Sequence, residues 1–104
     1  MKTKAGICLV AWFVASSAVF ADDEVIAGER AYTSKGCMGC HGPAGNSPNP
    51  GTFPKTAGLE ASYIVVQLKA FRSGERNNPM MTPMVRDLTD QEISSLAAYL
   101  AVQK

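Results

Sequence analysis

Apolar positions in the last part of the chain recur at helical spacing. Ile93, Leu96, Ala97, Leu100 and Ala101 form one stripe, with Tyr99 beside it, as expected of an amphipathic helix. Thr89-Asp90-Gln91-Glu92 opens that helix as a capping box, Thr at the N-cap and Glu three residues on. Leu59 to Ser73 predicts a second helix. Tyr63, Val66, Gln67, Ala70 and Phe71 share a face, Ile64 and Leu68 broaden it, and Gly74 stops it. Glu24 to Lys35 predicts a third, with Val25, Gly28, Ala31 and Tyr32 on one side and Gly36 at its end. A mid-helix glycine costs about 1 kcal/mol against alanine, so Gly28 predicts a close helix crossing, against the alternative of an incidental glycine. No period-two alternation and no internal repeat is present, and the fold class is all-α.

Two stretches break the pattern. Gly42 to Gly58 holds four prolines and four glycines, a density at which no helix or strand is expected. A structureless loop of that length inside a small domain is unusual unless it is functional. Glu75 to Arg86 (ERNNPMMTPMVR) reads as irregular, with Pro79 and Pro83 breaking any helix.

The N-terminus follows a different logic. Lys2 and Lys4 precede an apolar run, Ile7 to Val14, and Val19-Phe20-Ala21 ends in a small residue before Asp22, Asp23 and Glu24. That is the layout of a cleaved secretory signal peptide. The competing reading is a membrane anchor, but Ser16 and Ser17 break the stretch, and a spanning helix wants about 20 apolar residues. The expectation is a signal over residues 1–21, which discards Cys8, and one mature domain over residues 22–104, exported to the periplasm. Losing Lys2 and Lys4 leaves eight basic residues against nine acidic, a net charge of −1. No basic patch argues for nucleic acid and no charge run for a membrane surface. A mature chain of 83 residues struggles to bury a sufficient core without a staple.

Cys37-Met38-Gly39-Cys40-His41 supplies one. Two thiols two residues apart with histidine next is the c-type haem attachment pattern. Cysteines on one helical turn can each add to a haem vinyl group as a thioether, and the next side chain then lies under the iron. A thioredoxin-like site would need a βαβ setting, and zinc a second ligand pair, neither of which the mature chain offers. His41 is therefore read as an axial ligand whose other ring nitrogen donates to a carbonyl of the proline-rich loop, with Pro54 the favoured acceptor. Met38 lies between the two cysteines and cannot reach the opposite haem face. Met80, Met81 and Met84 share one irregular loop, and any of them could instead be a packing residue.

With these residues in place, the chain resembles a class I c-type cytochrome. Gly45-Asn46-Ser47-Pro48 and Phe53-Pro54-Lys55 are similar to the loop of one half of a cytochrome c4, and Tyr63, Gln67-Leu68, Phe71, Gly74, Arg76, Met81-Thr82 and Leu88-Thr89-Asp90 continue the likeness to Tyr99. Thr56 departs from it, standing where an apolar residue is usual. Only one haem motif is present, as in short cytochromes of the c553 type. The resemblance implies three to four helices around one covalent haem c, with Gly28 and Tyr32 meeting Leu96 and Tyr99. It places the sixth ligand seven residues before Leu88, at Met81, with Met84 as runner-up. Arg76, with Gln67, is read as serving the haem propionates, against the alternative of a solvent-facing arginine. The implied function is a monomeric periplasmic one-electron carrier, not an enzyme, passing electrons from a dehydrogenase or reductase to an oxidase or reductase. The alternative is the haem-bearing subunit of a periplasmic dehydrogenase complex.

Overall fold

Thr89 and Glu92 close the capping box as their spacing predicts. The Glu92 N–H donates to Thr89 Oγ1 and the Thr89 N–H to Glu92 Oε1, each at 3.0 Å. The computed structural model describes residues 20–104; the body of the proposed signal peptide lies outside the described residues. Those residues form α1 (Asp22–Ser34), α2 (Met38–His41), a 3-10 turn at Pro43–Gly45, α3 (Ala61–Ser73), α4 (Met81–Val85) and α5 (Asp90–Ala101). Among them there is no strand, and no helix is long and apolar enough to cross a membrane.

Helix α5 is the centre of the core. Ile93, Leu96, Ala97, Tyr99 and Leu100 are all buried, because α5 packs against α1 on one side and α3 on another. The α1–α5 crossing is as close as Gly28 predicts. A Cβ at that position would stand 2.6 Å from Tyr99 Cβ and 2.7 Å from the Ser95 carbonyl carbon. One turn on, Tyr32 packs its ring on Tyr99 at 5.6 Å between centroids, tilted 48°. Gly28 thus meets Ser95 and Tyr99, while Leu96 joins the same buried cluster as Tyr32.

Three local readings are corrected. The first concerns Glu75–Arg86, which is not wholly irregular. The Asn78 side-chain carbonyl accepts the N–H groups of Met80 (2.8 Å) and Met81 (2.9 Å), and the Thr82 N–H bonds to the Asn78 backbone carbonyl at 2.9 Å. Asn78 therefore closes the turn that leads into α4, and Pro79 lies in that turn, ahead of the helix, where its missing donor is not needed. Pro83 is the third residue of α4, still in the stretch whose N–H groups have no intrahelical acceptor. The second is the 3-10 turn at Pro43–Gly45 inside the proline-rich loop. It is too short for proline at its first position to prevent.

The third concerns α3. Its core face is Ile64, Leu68 and Phe71, whereas Tyr63 and Val66, expected on the packing stripe, are 51% and 60% exposed. The helix is apolar on two sides, and α5 covers only one. Gly74 does stop the helix, in a left-handed conformation at φ 83°. Arg72 then ties α3 to the entry of α5, donating to the Leu88 carbonyl (2.9 Å) and to Asp90 Oδ1 (2.6 Å). The arginine's hydrogen bond and charge hold the Asp90 carboxyl below its ordinary range.

Loss of the cap gives a measurable expectation. Thr89→Ala should lower the unfolding free energy by about 1 kcal/mol, read from urea denaturation. Glu92 adds a pH dependence. The Thr89 backbone N–H, and more weakly Lys35, hold its carboxyl below the usual 4.5. A depressed carboxyl contributes stability above its unfolded value and loses it as pH falls through its folded value. The deficit of Glu92→Gln should therefore be present at neutral pH and close in acid.

Candidate functional site

Tyr32 anchors the start of the site. Its hydroxyl donates to the Gly42 carbonyl at 2.6 Å and accepts the Gly45 N–H at 3.1 Å, in a position only 2% exposed. Burial pushes its phenol up to about 12, so it is a neutral donor throughout the physiological range. Between α1, which carries Tyr32, and the anchored Gly42 lies the single turn of α2. The N–H groups of Cys40 and His41 bond back to the Cys37 carbonyl, so the two cysteines and the histidine share one helical turn. Gly42 ends that turn at φ 78°. A Cβ there would stand 2.8 Å from the Asn46 carbonyl carbon, so the position needs glycine.

Both cysteines are free, half-buried thiols, and burial pushes the Cys37 thiol up. The His41 ring nitrogen Nδ1 lies 2.9 Å from the Pro54 carbonyl oxygen. A carbonyl can only accept, so Nδ1 carries the proton and Nε2 is left as the basic nitrogen. Phe53 stands edge-on to the imidazole, 6.5 Å between centroids. The loop is brought back by the Gly45 carbonyl, which accepts from Thr56 N (2.9 Å) and Ala57 N (3.1 Å).

On the methionine side the three candidates differ. Met80 and Met84 are 56% and 46% exposed, whereas Met81 is half-buried and packs against the core cluster. Asn78 holds the Met81 amide. Arg76 and Gln67 come together, Arg76 Nη1 donating to Gln67 Oε1 at 2.6 Å, with the guanidinium 4.5 Å above the Phe71 ring. Sequence reading missed Asn78 and the Tyr32 hydroxyl. An Asn-Pro pair before the methionines was the available signal for the first; the second bonds across ten and thirteen residues and leaves no local trace.

Residues 25–104 match the cytochrome c family. The chain belongs to that family. Its members hold haem c covalently, and Cys37, Cys40 and His41 stand in the family's attachment spacing. The chain is 54% identical over 67 residues to cytochrome c4 of Thiocapsa roseopersicina, covering 64% of this chain and 34% of that protein. It is 39% identical over 80 residues to a protein of Stutzerimonas stutzeri named thiosulfate dehydrogenase electron acceptor, covering 70% of this chain and 37% of that one. The chain thus spans about a third of the length of these relatives. In three dimensions it superposes on reduced recombinant cytochrome c4 from Pseudomonas stutzeri with a TM-score of 0.72 at 28% identity, covering 81% of this chain and 50% of that one.

The residues present fit the family's cofactor. Two free thiols on one turn suit thioether attachment, and Nε2 of an imidazole already bonded through Nδ1 suits iron ligation. The uncovered apolar side of α3, with Tyr63 and Val66, and the exposed Met80 and Met84 suit a large apolar ring. Among the described residues no three His, Cys, Asp or Glu side chains converge as around a bare metal ion, unlike a structural zinc site.

Proposed function

We propose that the chain is a periplasmic one-electron carrier, with residues 1–21 removed on export and residues 22–104 forming the working domain. The observation that carries this reading is the bond from His41 Nδ1 to the Pro54 carbonyl, which prepares one nitrogen for iron directly after two free cysteines. Bound haem supplies the ferric–ferrous couple, one electron at a time. Cys37 and Cys40 hold it as thioethers, so it is not lost on partner exchange. His41 is the permanent nitrogen ligand, kept in one tautomer and one plane by Pro54. Met81 is the sulfur ligand. His/Met ligation raises the potential, suiting delivery to a terminal oxidase or reductase. Arg76, fixed on Phe71 and Gln67, offers a guanidinium to the propionates.

We read the protein as a carrier rather than an enzyme, a reading its membership of the cytochrome c family supports. The relative named as an electron acceptor of thiosulfate dehydrogenase supports a dehydrogenase as donor. Two measurements test the proposal. The intact mass of exported protein should equal residues 22–104 plus one haem, and the protein should titrate as a single one-electron couple. Ready binding of carbon monoxide by the native ferrous protein would instead mean an open sixth position and a gas-binding or catalytic role.

A further inference from the structure

We propose that Tyr32 is a positioning residue for the axial histidine, acting through the backbone of the proline-rich loop. The inference rests on the reading of His41 as an iron ligand and adds a residue on another helix. Its basis is a closed circuit of bonds. The Tyr32 hydroxyl grips the loop at Gly42, which follows His41 directly, and at Gly45. Gly45 in turn holds Thr56 and Ala57 through its carbonyl. Two residues before Thr56, the Pro54 carbonyl meets His41 Nδ1 at 2.9 Å. One buried hydroxyl therefore fixes the His41 end of the segment directly, one residue beyond His41, and the Pro54 end through Gly45, whose carbonyl holds Thr56 two residues beyond Pro54.

The chemical consequence has a sign. A carbonyl held close to Nδ1–H raises the basicity of the imidazole and strengthens its donation to the metal. Stronger donation favours ferric over ferrous iron and lowers the potential. Releasing the knot lengthens that bond, weakens the donation and raises the potential. The phenyl ring of Tyr32 packs on Tyr99 whether or not it carries a hydroxyl, so Tyr32→Phe isolates the bonding from the packing.

In the haem-loaded protein, Tyr32→Phe should shift the ferric–ferrous equilibrium about threefold toward ferrous, a rise of about 28 mV at 59 mV per tenfold for one electron. The His41 ring N–H should also exchange with solvent at least tenfold faster, seen by NMR of the ferrous form. Two controls separate positioning from stability. Thr89→Ala weakens the fold at the other end of α5 from the loop, and Tyr99→Phe removes a hydroxyl outside the Tyr32–Gly45–Thr56 circuit; both should leave the potential in place. A Tyr32→Phe protein that melts earlier but keeps its potential and its ring-proton exchange overturns the inference. If that variant does not accumulate, exchange in the unmodified protein decides. The Gly45 amide and the His41 ring proton should then share one opening event, with protection within about threefold of each other, and a tenfold disparity refutes the coupling. Failure of the underlying reading is distinguishable, because the unmodified protein would then lack a histidine-ligated haem altogether.

Discussion

Gly28→Ala is expected to cost the fold about 3 kcal/mol, at the upper end of what an inserted methyl costs in a packed interior. Two effects oppose each other. Alanine is the better helix former by about 1 kcal/mol, which favours the variant. Against this, the new Cβ would lie 2.6 Å from Tyr99 Cβ and 2.7 Å from the Ser95 carbonyl carbon. Backbone cannot swing aside as a flexible side-chain end can, so α1 must move off α5 and loosen the contact that buries Tyr32 and Leu96. The clash wins. A domain of this size shifts its melting temperature by roughly 4–8 °C per kcal/mol, so a fall of more than about 10 °C is the expected reading. Gly39→Ala is the companion measurement. A Cβ at Gly39 has nothing within 4 Å, and there the helical gain should stand alone, leaving stability unchanged or slightly raised. Equal melting of the two variants would remove the crossing from the account of the fold.

The second large effect falls on Met81, the proposed sulfur ligand. Met81→Ala should abolish the sulfur-to-iron charge-transfer band of the ferric protein and lower the potential by on the order of 0.1 V, well inside the ~0.8 V that axial ligands span. Met80→Ala and Met84→Ala should keep the band. A ligand must be held in both oxidation states, and of the three methionines only Met81 is both half-buried against the core and set at the first position of α4 with its amide held by Asn78. Met84 is more exposed and belongs to the last turn of that short helix. Asn78→Ala, which removes the acceptor of the Met80 and Met81 amides, should weaken the band without erasing it. Retention of the band in Met81→Ala with its loss in Met84→Ala would shift the ligand by three residues.

Much of this was legible because it is local or periodic. The Thr89–Glu92 box sits in four consecutive residues, α5 repeats its apolar stripe, and Gly28 marks a helix crossing by being an expensive residue in its place. The attachment motif is five residues long, and its context narrows it further. The rest depended on which of several allowed partners the chain meets. Helix α3 has apolar residues on two sides, and periodicity does not say which one α5 takes. Prolines in ERNNPMMTPMVR argued against a helix, but Pro79 stands ahead of α4, in the turn that Asn78 closes, and Pro83 is only its third residue. The Arg72 bonds to Leu88 and Asp90 join residues 16 and 18 apart, and nothing in the spacing of charges announces them.

The crossing of α1 on α5 also dictates when the molecule can take shape. The contact between Gly28 and Tyr99 joins positions roughly 70 residues apart, and the entropy of closing such a span rises only with the logarithm of its length. The consequence is one of timing rather than of final stability. While the chain is being synthesised, the thiols of Cys37 and Cys40 emerge long before the residues that seal the core around them. Until Tyr99 is available, α1 lacks the helix it packs against. In that interval the core around the attachment turn is not yet closed, and the two cysteines stand open to the chemistry that modifies them.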